Sequence, residues 1–520
     1  MEKRSHIKSY FLAFLTVFLM IHSGCSDDFF DQPAGDRITP DQHYNNTIDA
    51  YISLQGAIIP LQDIMPRLIM LDGLRSDMMD ITSNAGVNLI AINNQEFDPG
   101  NPFIDPSDLY KVIININEVL ANLDKVAERD RTFDDFIQFY ATGNIIGMRA
   151  WAYLTLVRMY NKVFYLDGNM TELPAGLPGT EMSKNEIIDT LINQILPYIH
   201  DPDAETEFAE LRIEHYINNK ALLGELYLEI NDYPNAAKYL KMACESYGDG
   251  SALLKVDQTY LDYGWRTIHL NAETAGLENI SVIPYSSVED QFNLLAGWFG
   301  HNYEYLVKPS DILVDSFMAQ IPAAGAPGDP WRGLGVTFGR DTTAWLTDTT
   351  FEFESYITKY EIDNLDPFSS DIIISRAADI HLMLAEALNR MGDATSQKYA
   401  LMLLNAGVNK ESPKPPEYTA WRNNRGIRGR VYLNARVVSD ALPANEKMLL
   451  IEDLIMAERA MELAFEGKRW SDLVRVASRR GQPEYLADKV AEKFKDDPAK
   501  YSEIRNKLLN SANWYLPLEY

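Results

Sequence analysis

The sequence predicts a mainly α-helical protein: a helical repeat scaffold carrying an irregular, loop-rich binding region and a few short strands. Three observations predict it. Long stretches place apolar residues at alternating steps of three and four, the mark of a one-sided helix. Two segments repeat a helix–turn–helix theme of small residues and aromatics. The stretch from about 247 to 370 breaks that pattern and is rich in Gly, Tyr, Trp, Asp and Thr. Composition supports a packed chain, with 46% apolar and 23% charged residues, ordinary values for a globular protein.

At 373–391 the apolar stripe is Ile373, Ala377, Ile380, Leu384, Ala387 and Met391, and Gly392 stops it,. A second stripe, Ile451, Leu454, Ala457, Met461 and Phe465, is closed by Gly467. Further helical segments are expected at about 41–58, 106–128, 133–163, 184–199, 214–230, 235–246 and 485–509. One of them is more specific. Ala221-Leu222-Leu223-Gly224-Glu225-Leu226-Tyr227 leads through Asn231-Asp232-Tyr233 to Ala236-Ala237-Lys238-Tyr239-Leu240. Small residues where two helices touch, and aromatics where they lock, resemble a tetratricopeptide unit. Residues 376–404 repeat the theme around Gly392-Asp393, and 133–163 and 445–480 are weaker units. Such repeats need neighbours to bury their faces.

Within 247–370, Ile280–Tyr285 and Tyr356–Tyr360 read as short strands. Residues 71–104 form a second irregular region. Long irregular insertions on a helical scaffold are where a binding surface is expected.

The N-terminus reads as a targeting signal. Lys3, Arg4 and Lys8 precede an apolar run from Tyr10 to Ile21, then His22-Ser23-Gly24-Cys25. This is the layout of a secretory leader, and the run is short for a spanning helix, which needs about 20 residues. Gly24-Cys25 looks like a bacterial lipobox, with Cys25 the lipidated residue. The expected organisation is a leader at 1–24, a lipidated tether at 25–40 and one domain at 41–520. Its scaffold covers about 41–246 and 371–520; its binding region covers about 247–370 with the loop 71–104. With Cys25 lipidated, Cys244 has no disulfide partner and reads as a small buried thiol.

Chemistry is mostly excluded. The net charge of -28 makes a poor nucleic-acid binder, because such proteins carry a basic footprint. HExxH, GxSxG, Walker and CxxC patterns are absent, and Gly333-Leu334-Gly335 lacks a third glycine for a dinucleotide turn,. The histidines show no ligand spacing and calcium loops of alternating Asp/Asn are absent, so no metal residues are assigned; a single calcium held by scattered oxygens stays open. Glu458, Glu462 and Glu466 share one helix face; with Arg459, Lys468, Arg469 and Arg475 nearby they read as an ion network. Sugar recognition instead needs flat aromatic faces with amides and carboxylates beside them. Phe292, Trp298, Phe299, Tyr303, Tyr305, Trp331 and Trp345 are interleaved with Asp290, Asn293, Asn302 and Arg340. The Gly-flanked Trp298 is the sharpest candidate among them.

The chain resembles the SusD/RagB family. The residues that carry this are Cys25 followed by Ser26-Asp27-Asp28-Phe29-Phe30-Asp31-Gln32-Pro33; Arg149-Ala150-Trp151-Ala152-Tyr153; Ser375-Arg376-Ala377-Ala378-Asp379-Ile380; Glu458-Arg459-Ala460-Met461-Glu462-Leu463-Ala464-Phe465-Glu466-Gly467-Lys468-Arg469-Trp470; and the terminal Leu516-Pro517-Leu518-Glu519. A segment through Pro413 and Pro415 departs from the family pattern before Arg425-Gly426-Ile427-Arg428-Gly429. The resemblance implies a surface-exposed outer-membrane lipoprotein of Bacteroidetes, held by lipid alone. It implies capture of an oligosaccharide or similar nutrient and delivery to a SusC-like TonB-dependent transporter, with no cofactor and no catalytic role. It carries over binding regions, not a residue code: Asp77, Phe97 and Asn101 in the early loop, and Trp298, Tyr303 and Trp345 in the central loops. Phe292, Asn293 and Phe299 join these as candidates from composition. Two other classes remain open on the residues alone, a surface glycoside hydrolase and a protein-interaction scaffold without glycan affinity.

Overall fold

A computed structural model describes residues 43–166, 168, 179–199, 217–245, 268, 278–340, 354–361, 366–421 and 424–518. The leader, Cys25, the tether and Trp345 lie outside these residues.

Helices pair side by side. Thr47–Arg75 packs on Ser107–Arg129, Asp135–Tyr160 on Lys184–Ile195, Asn219–Glu229 on Tyr233–Glu245, and Ala377–Met391 on Ala394–Leu404. Successive pairs touch: Ser107–Arg129 lies on Asp135–Tyr160, and Tyr233–Glu245 on Ala377–Met391. The residues that suggested repeats explain the closeness. A Cβ on Gly224 would sit 2.3 Å from Leu240 Cγ, so only glycine lets the two backbones approach there. The Tyr227 and Tyr239 rings stack at 5.6 Å and 5°. Gly392, at φ 82, ends Ala377–Met391 in the left-handed region,. Asp393 then caps the next helix through the amides of Thr395 and Ser396,.

Three expected elements are corrected. The first helix does not stop near 58 but runs through Pro60 and Pro66 to Arg75. Leu61, Ile64, Met65, Ile69, Met70, Leu71 and Leu74 are all buried along that extension, and this packing outweighs the lost amide donors. The segment 485–509 is two helices, Glu484–Ala491 and Pro498–Leu508; Asp497 caps the second and Pro498 starts it,. The helices of the 445–480 unit, Ala444–Glu462 and Arg469–Arg480, part instead of pairing. The first packs on Ala377–Met391, and the second on Thr47–Arg75 and Glu484–Ala491. Phe465 at φ 64 and Gly467 at φ 71 turn the chain between them.

The described strands form four antiparallel two-stranded sheets. Asn279–Ile283 pairs with Ile372–Arg376, and Phe338–Arg340 with Ser355–Ile357, close to the two strands expected. Met79–Ile81 pairs with Val307–Pro309, and Lys162–Tyr165 with Thr180–Ser183. The largest apolar core runs from the first helices to Phe465 and Leu516, and a second surrounds Ala377–Met391. Cys244 is buried in the second, and burial pushes its thiol well above the usual value.

The three aligned glutamates do form an ion network. Glu462 accepts from Arg332 at 2.7 Å, from Arg376 at 2.8 Å, and from Arg430. Glu466 accepts from Arg376 at 2.9 Å and from Lys359. Glu458 accepts from Arg428 at 2.6 Å. Glu278 joins through Arg376 at 2.7 Å and Arg430 at 2.9 Å. The partners expected from the neighbouring sequence serve other acids. Arg459 holds Asp379 and Asp472, Lys468 holds Asp379, Arg469 holds Asp77, and Arg475 holds Glu386 and Asp472. The reason is helical: each residue turns about 100°, so Arg459 cannot share the face of Glu458 and Glu462.

Candidate functional site

The early loop and the central loops meet. Beyond the Met79–Ile81 and Val307–Pro309 ladder, the Thr82 amide donates to the Leu306 carbonyl at 3.0 Å. Asn84 Nδ2 donates to the Glu304 carbonyl at 3.0 Å. Phe103 of the early loop lies 5.8 Å from Trp298, ring to ring. Trp298 itself sits in a short helix, Leu294–Phe299, rather than in a loop, and is partly buried.

Asn293 builds that helix. Its Oδ1 accepts from the Leu295 amide at 3.0 Å, its Nδ2 donates to the Ser370 carbonyl at 2.7 Å, and its own amide donates to the Phe368 carbonyl. It thereby ties segment 366–370 against the helix. Phe292 and Tyr303 both stand edge-on to Phe368, at 6.4 Å and 5.5 Å. Phe292 is 45% exposed and Tyr303 48%. The result is an exposed aromatic cluster of three rings, with Phe368 between the other two.

Gly300 lets this cluster close on a carboxylate. A Cβ there would lie 2.3 Å from Glu361 Oε1 and 2.6 Å from Tyr303 Cδ2. Glu361 Oε1 is buried with no hydrogen-bond partner among the described residues. Burial raises the Glu361 pKa, and the His301 backbone amide opposes the rise only in part. Such a carboxyl is ready to accept from, or share a proton with, a ligand hydroxyl. The His301 ring lies 5.3 Å from Tyr356. From Tyr285 to Leu306 the chain carries Glu289, Asp290 and Glu304 and no Lys or Arg, so this face is acidic.

The other candidates do not join the cluster. Phe299 is 1% exposed, 6.0 Å from Tyr360 and 6.2 Å from Phe465; it is core and offers no free face. Asn293 is wholly buried, its amide engaged as above. Asp77 holds Arg469 with two bonds of 2.8 Å. Burial would raise its carboxyl, but Arg469 holds it below the usual range. Asn101 is buried and caps the turn at Pro102–Ile104. Phe97 lies under the Arg75 guanidinium at 4.9 Å. Trp331 packs beside Tyr432, 6.0 Å away. Phe103, Phe368 and Glu361 were not singled out from the sequence. The two rings each follow a proline, in Asn101-Pro102-Phe103 and Asp366-Pro367-Phe368, a turn signal that marks an aromatic outside the helical pattern.

Among the described residues, no group of three or more His, Cys, Asp or Glu side chains is arranged to hold a metal ion. No helix there is long and apolar enough to cross a membrane.

Residues 354–520 match the model of the SusD family. The chain is 24% identical over 420 residues to the SusD-like protein P38 of Formosa agariphila, covering 74% of each chain. It is 21% identical over 505 residues to the SusD-like protein P2 of the same organism, covering 90% of this chain and 91% of that one. In three dimensions it matches a SusD superfamily protein from Bacteroides vulgatus, with a TM-score of 0.65 and 17% identity over 89% of this chain and 93% of that one. The family-model match, the SusD-like relatives and the SusD superfamily structure together support the SusD/RagB family for this chain. The architecture of this SusD-like chain also matches a protein described as a laminarin-binding SusD-like protein, with a TM-score of 0.55 and 18% identity over 90% of this chain and 98% of that one. The glutamate motif at 458–466 falls within the matched stretch, and here it is scaffold: its carboxylates are bound to buried guanidinium groups.

Proposed function

We propose that this chain is a cell-surface glycan-binding lipoprotein, anchored through Cys25, that captures oligosaccharide and passes it to a SusC-like TonB-dependent transporter. It acts without catalysis. The observation that carries the reading is the exposed Phe292–Phe368–Tyr303 cluster, set beside Trp298 and Glu361, whose Oε1 has no partner among the described residues. Flat rings take the C–H faces of a pyranose, and the carboxyl and nearby amides take its hydroxyls. The acidic rim disfavours sulfated and uronate chains at this face and favours neutral ones. The laminarin-binding relative supports the same class of ligand. Affinity suited to release is micromolar to millimolar, roughly -8 to -4 kcal/mol. The helical scaffold is the side expected to dock on the barrel, leaving the aromatic face toward its mouth.

The test is a glycan array followed by titration with the purified chain, Trp298→Ala and Tyr303→Ala. The reading expects a hit among neutral glycans that both variants weaken. A blank array with tight, glycan-independent binding to a barrel partner would support a pure interaction scaffold instead. Release of reducing sugar from any bound polysaccharide would make the chain a hydrolase.

A further inference from the structure

We infer a second saccharide cleft, distinct from the aromatic face around Tyr303 and suited to an acid-bearing sugar. It is a depression of about 700 Å³, within the range of ligand pockets, roughly 300–1,000 Å³. Its walls are the end of the Asp135–Tyr160 helix, the Lys162–Tyr165 strand, the early loop at 95–97 and the segment 512–518. None of its lining residues belongs to the Phe292, Trp298, Tyr303 and Phe368 group. The walls are firmly tied. The Leu516 amide donates to the Met159 carbonyl at 2.8 Å, Arg75 donates to the Trp514 carbonyl at 2.7 Å, and Tyr160 donates to the Ile104 carbonyl.

The lining chemistry is that of sugar recognition. Phe97, Phe164 and Tyr515 are partly exposed rings, and Gln95, Asn161 and Asn513 are side-chain amides. Gln95 is decisive. It is 1% exposed, its Nε2 donates to the Arg75 carbonyl at 2.9 Å, and its Oε1 is buried with no partner among the described residues. An unsatisfied buried acceptor is costly, and a ligand hydroxyl is the donor such a site lacks. Two lining residues are also held in backbone conformations rare outside glycine: Gln95 at φ 56, and Asn161 at φ 66 with ψ -37. Strain of this kind concentrates at ligand clamps. Finally, the cleft carries Lys162 and Lys507 against a single Glu181. On a chain of net charge -28, that local excess of cation selects a carboxylate-bearing sugar.

The inference stands apart from the glycan reading of the Tyr303 face, and the two fail separately. Hexamers of galacturonate, mannuronate and guluronate, with laminarihexaose as the uncharged control, are titrated against the purified chain by saturation-transfer NMR. At least one uronate hexamer is expected to bind, and to keep its affinity in the Trp298→Ala/Tyr303→Ala double variant. Tyr515→Ala should abolish that binding, and Lys507→Gln should weaken it about tenfold. Asn161→Gly supplies a separate readout. It should raise the melting temperature by releasing the strained backbone while lowering uronate affinity; a purely structural Asn161 would change the first alone. The inference is overturned if no uronate hexamer binds, if the Trp298/Tyr303 variant loses all uronate binding, or if Tyr515→Ala, Lys507→Gln and Asn161→Gly leave it unchanged.

Discussion

Arg376 and Glu462, both wholly buried, are joined by a 2.8 Å hydrogen bond although they lie 86 residues apart. Arg376 is the last residue of a strand and Glu462 the last of a helix, so the bond fastens to the scaffold helix the strand that pairs with Asn279–Ile283 of the irregular region. The same Glu462 serves Arg332 from within the irregular region and Arg430 from the Arg-rich turn.

Glu462→Gln should therefore be severe. It leaves three guanidinium groups short of a counter-charge in a dry site, a loss of about 3–5 kcal/mol. Burial raises the Glu462 carboxyl, but Arg430, Arg376 and Arg332 outweigh it and hold the group well below its ordinary 4.5. Its contribution is thus complete above about pH 5 and declines as pH falls through 4.5 and below. Urea unfolding from pH 7 to pH 3 checks both points. The variant should be less stable at pH 7 and show a shallower loss on acidification.

His381 adds a second acid-sensitive element, in a different window. Its Nδ1–H donates to the Ala377 carbonyl and its Nε2 accepts from Asn424. Burial brings its pKa from 6.5 down to about 4. The unfolded chain takes up a proton near pH 6.5 and the folded one does not, so stability falls between pH 6.5 and 4, by about 3 kcal/mol in all. His381→Leu should start less stable at pH 7 and lose that slope, as read from denaturant midpoints at pH 7, 6 and 5.

Neighbouring aromatics should separate binding from stability. Tyr303→Ala, at an exposed ring, is expected to change stability by no more than about 0.5 kcal/mol and to weaken glycan binding about tenfold, or 1.4 kcal/mol. Phe299→Ala should do the reverse at the level of the fold, costing about 3–5 kcal/mol. Thermal unfolding and a glycan titration on both variants would reveal any mixing of the two roles.

Gly300→Ala tests the contact between ring and carboxyl. The new methyl meets Glu361 Oε1, the Ala296 carbonyl at 2.6 Å and the Tyr303 ring. Overpacking of this kind costs about 1–3 kcal/mol, and here it must also move Tyr303. Glycan affinity should fall together with stability. An unchanged titration would place the ligand away from Glu361.

The scaffold was legible because its cause is periodic. The helix ending at Gly392, the Gly224 approach and the two short strands all follow from local spacing; the second stripe does not hold, because its helix ends at Glu462, Phe465 lies beyond that end and Ala457 is exposed. Pro60 and Pro66 misled because a proline's local effect can be overruled by distant packing, which sequence does not show. The site was half legible for a related reason. Composition marks a region rich in aromatics, but only tertiary contact tells Tyr303, which faces solvent, from Phe299, which is core. Asp77, Asn101 and Asn293 looked like ligand groups because amides and carboxylates serve turns and ligands equally well. The partners of Glu458, Glu462 and Glu466 were misassigned because nearness in sequence is not nearness around a helix.

The ladder joining Met79–Ile81 to Val307–Pro309 bears on how the chain matures. Thr82 and Tyr305 meet across 223 residues, whereas the helical hairpins close over short loops. Contacts of such long range form slowly, after local ones. The aromatic face should therefore be the last part of the molecule to appear, once most of the chain has been made and folded. Affinity for a ligand would then report completion of the whole protein, and no excised fragment of the central loops should display it.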